Sequence, residues 1–238
     1  MVDHDDVPRI PEARSLSYFF RGQLIHLGSI PFLAAIAYAF ASPSLGDQTW
    51  LGLSDAHWFG LALLLPIVHQ VYVWVGWRAQ LGFQTFTRIF GRADFKVWGA
   101  IFMPLLVSRP LVILGLAIAD AGSADLPAWW GWALGGALLP PALYALYSVQ
   151  RYFGLDRALG GDHFRTRYRH MPFVREGAFK WTSNAMYTVA FLAFWGIALV
   201  AGSRAALAAA FFHHAYIWAH YLGTEEPDMQ LIYGQPDA

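Results

Sequence analysis

Long apolar runs separated by short polar stretches dominate this chain. Four of them lie near residues 22–41 ("GQLIHLGSIPFLAAIAYAFA"), 58–77 ("WFGLALLLPIVHQVYVWVGW"), 97–119 and 128–150. A membrane-spanning helix needs about 20 such residues. After residue 184 comes a single tract, "NAMYTVAFLAFWGIALVAGSRAALAAAFFHHAYIWAHYLG". At about 1.5 Å per residue it is too long for one crossing. The "AGSR" at 201–204 puts Gly, Ser and a charge in its middle, which predicts a tight helical hairpin. The pattern predicts an all-α, polytopic integral membrane protein with six transmembrane helices, or five if the hairpin only re-enters. No repeat or low-complexity linker divides it. Residues 1–14 read as a short, poorly ordered polar tail, 15–150 as four transmembrane helices, and 151–238 as a polar loop, the hairpin and an acidic end.

Composition supports the membrane reading. Of 238 residues, 57% are hydrophobic and 13% charged, against about 25% charged in soluble domains. The 11 Trp and 11 Tyr suit membrane–water interfaces. A net charge of zero gives no sign of a nucleic-acid partner. The absence of cysteine excludes disulfides, thiolate metal sites and a cysteine nucleophile. The start, "MVDHDDVPRIPEARS", is acidic and broken by proline, unlike the basic start of a signal peptide.

Charge placement orients the chain. Arg9, Arg14 and Arg21 precede the first run; Arg78, Arg88, Arg92 and Lys96 follow the second. Arg151, Arg157, Arg165, Arg167, Arg169, Arg175 and Lys180 lie between the fourth and the hairpin, whereas 42–57 and 120–127 carry no Lys or Arg. Fourteen of the 16 basic residues thus fall on one side, which the positive-inside rule assigns to the cytoplasm. Both termini and the polar loop go there too.

That loop, "RYFGLDRALGGDHFRTRYRHMPFVREGAFKW", is the most polar part of the molecule. One reading is a topology anchor resting on anionic headgroups. The other is a surface for a phosphate-bearing ligand: if "RTRYRH" is extended, Arg165, Arg167 and Arg169 share one side. A second polar feature closes the last apolar run, where Glu225 and Glu226 stand side by side in "HYLGTEEPDM". They read either as a solvated helix end closed by Pro227 or as negative charge held at the membrane rim for a cationic ligand.

The segment "GAFKWTSNAMY" (177–187), the hairpin and "EEPDMQLIYG" together resemble the C-terminal half of the membrane phospholipid and isoprenylcysteine methyltransferases. There a "G-x-Y/F-[KR]-[YW]-x-R-[HN]-P-x-Y" stretch precedes a helical pair that runs into two glutamates. "RYFGLDRALGGDHF" (151–164) is similar to the phosphatidylethanolamine N-methyltransferase branch. The likeness covers about residues 150–234. It implies that these segments converge at the cytosolic face around S-adenosylmethionine, with a membrane lipid as methyl acceptor. Gly177, Phe179, Asn184 and Tyr187 match the first motif, and Glu225 and Glu226 the paired glutamates. Asn184 also reads as a helix N-cap. Two positions depart: Ser183 replaces an arginine, a fixed cation, and Ala185 replaces a proline.

The chemistry stands beside the resemblance. S-adenosylmethionine carries a sulfonium and an amino group, both positive, which adjacent carboxylates suit. Methyl transfer to an amine is an in-line displacement that depends on positioning. The acceptor ammonium must first lose a proton, to Glu226 or to a neutral histidine such as His163 or His220. No metal is required. Two other classes remain open. His26, His69, His213, His214 and His220 would suit a haem or metal redox protein. Arg109 beside Pro110, with Pro140 and Pro141, would suit a lipid carrier.

Overall fold

A computed structural model describes residues 7, 8 and 10–234 of the chain. The expected loose tail therefore falls partly outside the described residues, at 1–6 and 9, as do 235–238 at the other end. Its remainder is packed. Pro11–Arg14 forms a 3-10 turn, and Ile10 and Ala13 are buried against Leu81 and Ile232. The tail's few apolar residues seat it on the helices, which a reading of its charge alone missed.

Among the described residues the regular structure is helical apart from one hairpin of two-residue strands, Thr49–Trp50 and Leu53–Ser54. The long helices are α1 (Gln23–Ala41), α2 (Asp55–Phe83), α3 (Asp94–Ala119) and α4 (Ala128–Ser148). With their short flanking turns, these four are long and apolar enough to cross a membrane. Prolines 31, 66, 104, 110, 140 and 141 lie inside them, as bundles in lipid tolerate. A hairpin follows: α5 (Leu192–Ala201), led in by a π-helical turn at Met186–Ala190, and α6 (Arg204–His220). A second π-helical turn, Tyr221–Glu225, joins α6 to α7 (Glu226–Tyr233).

The hairpin tip is tied to the turn between α3 and α4. Asp120 accepts bonds from Ser203 Oγ (2.6 Å) and Ala205 N (2.8 Å), while Gly122 N donates to Ala201 O (3.0 Å). The hairpin packs beside the four longer helices, but Met186–Ala201 is apolar without reaching the length of the four, so four of the six expected spans are seen among the described residues. At the far end gather residues 84–93, 151–185 and 221–234, the basic end of the molecule.

Helix α6 is the hub, packing against α1, α2, α3 and α5. Ala205, Ala206, Ala208, Ala209 and Ala210 are all buried on it, and small side chains let helices approach closely in lipid. Glycines do the same between α4 and α5, where a Cβ on Gly135 would lie 2.7 Å from Gly196 O. Large apolar side chains point outward instead, among them Leu24, Phe32, Leu111 and Leu143. An exposed apolar band of this extent is a lipid-facing surface.

Candidate active site

The two motif segments meet at the basic end. Gly177 sits at φ +60°, where a Cβ would lie 2.5 Å from Ser148 Oγ and 2.8 Å from the Tyr152 ring. Only glycine combines that backbone with that contact. Ser148 Oγ accepts from Ala178 N (3.0 Å) and donates to Tyr144 O (2.7 Å), fixing the segment to the end of α4. Phe179 is buried and stacks on Phe153 at 5.4 Å. Asn184 Oδ1 faces Tyr187 N at 3.4 Å, so it caps the turn that carries Tyr187.

Tyr187 OH in turn donates to Glu225 Oε2 at 2.5 Å. Both residues lie on π-helical turns, a distortion frequent at functional sites. Glu225 stands past the end of α6 and is half-buried. Burial pushes its carboxyl up to about 7; the Tyr187 bond opposes this, and the negative charge of Asp162 adds to it. Glu226, the first residue of α7, donates its backbone N–H to Tyr221 O, and its side chain makes no hydrogen bond among the described residues.

Below this pair lies a charge network that fixes it. Asp228 is fully buried and accepts from Arg78 Nε (3.0 Å) and Tyr18 OH (2.8 Å), with His163 Nε2 at 3.4 Å. Arg78 uses its other donors on backbone carbonyls: Tyr18 (3.0 Å), Phe19 (2.9 Å), Arg21 (2.6 Å) and Gly223 (3.1 Å). One guanidinium thus staples the approach to α1 to the turn that carries Glu225. The sequence placed Arg78 among the loop cations; instead it lies inside α2, fully buried. Asp228 carries no sequence signal of its burial beyond its place one helical turn after Glu225.

His163 departs from the expected neutral base. Its ring stacks on Trp77 at 4.3 Å, with Nδ1 on Asp162 (3.1 Å) and Nε2 facing Asp228. Burial pushes the imidazole down, but its bonds to Asp162 and Asp228 outweigh that and hold its pKa at about 9. It is therefore a structural cation at neutral pH. Asp162 is held below its ordinary value despite burial by the same contact, and it also accepts from Tyr233 OH (3.0 Å). His220 is buried on α6, edge-on to His26 at 4.8 Å and 6.2 Å from the Trp77 ring, with Nδ1 unpartnered.

The arginine trio does not form one face. Thr166–His170 is a 3-10 turn, not a strand, so alternation does not apply. Arg165 forms a two-point ion pair with buried Asp94, at 2.5 and 2.9 Å. Arg167 bonds Tyr168 OH at 3.2 Å and stacks over its ring. Arg169 is half-buried, with Nε and Nη2 unpartnered.

The intramembrane histidines are engaged mainly in pairs. His213 Nε2 meets Ala62 O at 2.7 Å, which leaves Nδ1 to accept from Arg109 Nε at 3.4 Å. Arg109 also lies over the Phe191 ring. Tyr216 OH meets His26 Nε2 at 2.9 Å, and Trp195 Nε1 donates to His214 at 3.1 Å. Among the described residues, no three His, Asp or Glu side chains come close enough together to hold a metal ion.

Fold and site together define a polytopic membrane protein whose C-terminal hairpin delivers a carboxyl to a tyrosine at its basic end. Residues 130–236, a little under half of the chain, match the phospholipid methyltransferase family. Proteins named phosphatidylethanolamine N-methyltransferase from Lodderomyces elongisporus, Candida dubliniensis and Candida albicans are each 34% identical over 76 residues. Those stretches cover 31% of this chain and 8% of each relative's length. No solved structure matches it.

Proposed function

We propose that this chain transfers a methyl group from S-adenosylmethionine to the amine of a membrane phospholipid, phosphatidylethanolamine or a partly methylated derivative. The observation that carries this reading is the Tyr187–Glu225 hydrogen bond, which joins the two family motifs at the basic end. The family match and the names of the relatives support the methyl transfer. By the positive-inside rule this end, with both termini, faces the cytoplasm of a multi-pass membrane protein.

The residues present fit the donor. Its amino and sulfonium groups are cations, and Glu225 and Glu226 are the carboxyls at the rim. Gly177, Phe179 and Asn184, on the neighbouring motif segment, are the residues that would help hold it. When bound, S-adenosylmethionine supplies an electrophilic methyl group.

Everything else falls to the chain. With a pKa of about 7, Glu225 is poised to take the proton that the acceptor ammonium must lose before it has a lone pair. Tyr187 fixes the orientation of that carboxyl. The Arg78–Asp228 pair holds its backbone, so that binding does not have to order it. The Glu226 side chain, without a partner of its own, is left to balance the donor's positive charge.

Calorimetric titration of the detergent-purified protein with S-adenosylhomocysteine tests this assignment. One molecule bound per chain, lost or weakened at least tenfold in Glu226→Gln, is the expected result. A folded protein that binds none overturns it.

A further inference from the structure

Beside the motif segment lies a cavity of about 480 Å³, of whose lining the proposed chemistry uses only Phe179. Three cations line it, Arg157, Arg175 and Lys180, against walls of Phe153, Phe173 and Phe179. We infer that this cavity is an oxyanion subsite that holds the phosphodiester of the membrane acceptor. The inference rests on the methyl-transfer reading and names the part of the acceptor that reading leaves unplaced.

The cations here are available in a way that Arg165 is not. Among the described residues, no Asp or Glu lies within ion-pair distance of Arg157, Arg175 or Lys180. Asp156, the nearest acidic neighbour of Arg157 in sequence, accepts from Tyr168 OH at 3.0 Å. Like charges gathered around one concavity repel each other, and an anion relieves that repulsion. Apolar walls lower the local dielectric and strengthen the attraction.

The geometry is also preset. Arg157 lies 4.9 Å over the Phe153 ring, which stacks on buried Phe179, and it donates to Pro172 O at 3.3 Å. Phe173 and Trp181 beside the cavity are 71% and 73% exposed. Exposed rings of that size mark the depth of the headgroups, where a lipid phosphate lies. Ser183, in the cavity wall, precedes Asn184, which caps the turn bearing Tyr187. In an ethanolamine lipid two carbons separate phosphate oxygen from nitrogen, so a phosphate held here keeps the amine near that turn.

Arg175 and Lys180 are exposed, so Arg175→Gln, Lys180→Gln and the double variant leave packing intact. Arg151→Gln, an exposed cation of the same loop outside the cavity, is the matched control. Three quantities are measured: the KM for phosphatidylethanolamine in mixed micelles, the Kd for dihexanoyl-phosphatidylethanolamine, and the Kd for S-adenosylhomocysteine. Each single variant is expected to raise both lipid constants about threefold and the double variant about tenfold, with the nucleoside Kd unchanged. Arg151→Gln is expected to move none of them. A rise confined to the S-adenosylhomocysteine Kd would give the cavity to the donor's carboxylate and overturn the inference. Equal effects from Arg151→Gln would reduce it to diffuse attraction, and inorganic phosphate binding as tightly as the short-chain lipid would make it a free-phosphate site. If the wild type transfers no methyl group, the short-chain lipid titration still reads the cavity, so the two failures are distinct.

Discussion

Tyr187 and Glu225, 38 residues apart, share a 2.5 Å hydrogen bond that closes the C-terminal hairpin at its basic end. The tyrosine stabilises the ionised carboxylate against the burial that disfavours it. Tyr187→Phe removes this donor, so the pKa of Glu225 rises further above its ordinary value. The acid limb of the rate–pH profile, set near 7 in the wild type, is expected to move to higher pH. An unmoved limb would show that Glu225 does not govern the rate.

The Arg78–Asp228 pair carries a different prediction. Each partner is fully buried; removing Asp228 leaves the Arg78 charge unpaired, at a cost of about 3–5 kcal/mol, and removing Arg78 leaves Asp228 only the longer His163 contact at 3.4 Å. Arg78→Met and Asp228→Asn are each expected to lower the thermal midpoint in detergent sharply. The double variant is expected to recover part of that loss, because no lone charge remains. Additive losses would mean the pair is not coupled.

His163 makes stability depend on pH on the alkaline side. Its folded pKa, about 9, is raised above the ordinary 6.5, so the folded state binds the extra proton between those values. The resulting stabilisation is complete below pH 6.5 and is lost as pH rises through 9, on the order of 3 kcal/mol in total. His163→Gln is expected to flatten the decline of the thermal midpoint between pH 6.5 and 9. A decline as steep as that of the wild type would contradict the assignment of His163 as a structural cation.

Gly177 tests the seating of the motif on α4. An alanine there meets Ser148 Oγ and adopts a positive φ, which costs about 1–2 kcal/mol from the backbone alone. Gly177→Ala is expected to weaken S-adenosylhomocysteine binding. Adding Ser148→Ala is expected to restore little of it, because the backbone strain stays. Full restoration would place the whole effect in the side-chain contact.

How much of this was legible in the sequence depends on the range of the interaction. The helices and the hairpin followed from apolar run length and from the Gly-Ser-Arg break at 202–204, both local signals. The Tyr187–Glu225 meeting was implied by the resemblance, not by any spacing, since nothing local joins residues 38 apart. Arg78 was misplaced because a cation at the end of an apolar run looks the same whether it leaves the helix or turns inward. Only its partners, up to 150 residues away, decide. The "RTRYRH" segment lacks the apolar alternation that would mark a strand, so its charge pattern alone did not fix its backbone.

The most direct test of the central claim follows label from methyl-labelled S-adenosylmethionine into phosphatidylethanolamine vesicles, for the wild type and Glu225→Gln. The expected result is label in the lipid extract with the wild type and at least a hundredfold less with the variant, which keeps the same thermal midpoint to within a few degrees. Lipid labelled equally by both proteins would contradict the role given to Glu225. No label with a folded wild type that binds S-adenosylhomocysteine would contradict the phospholipid as acceptor.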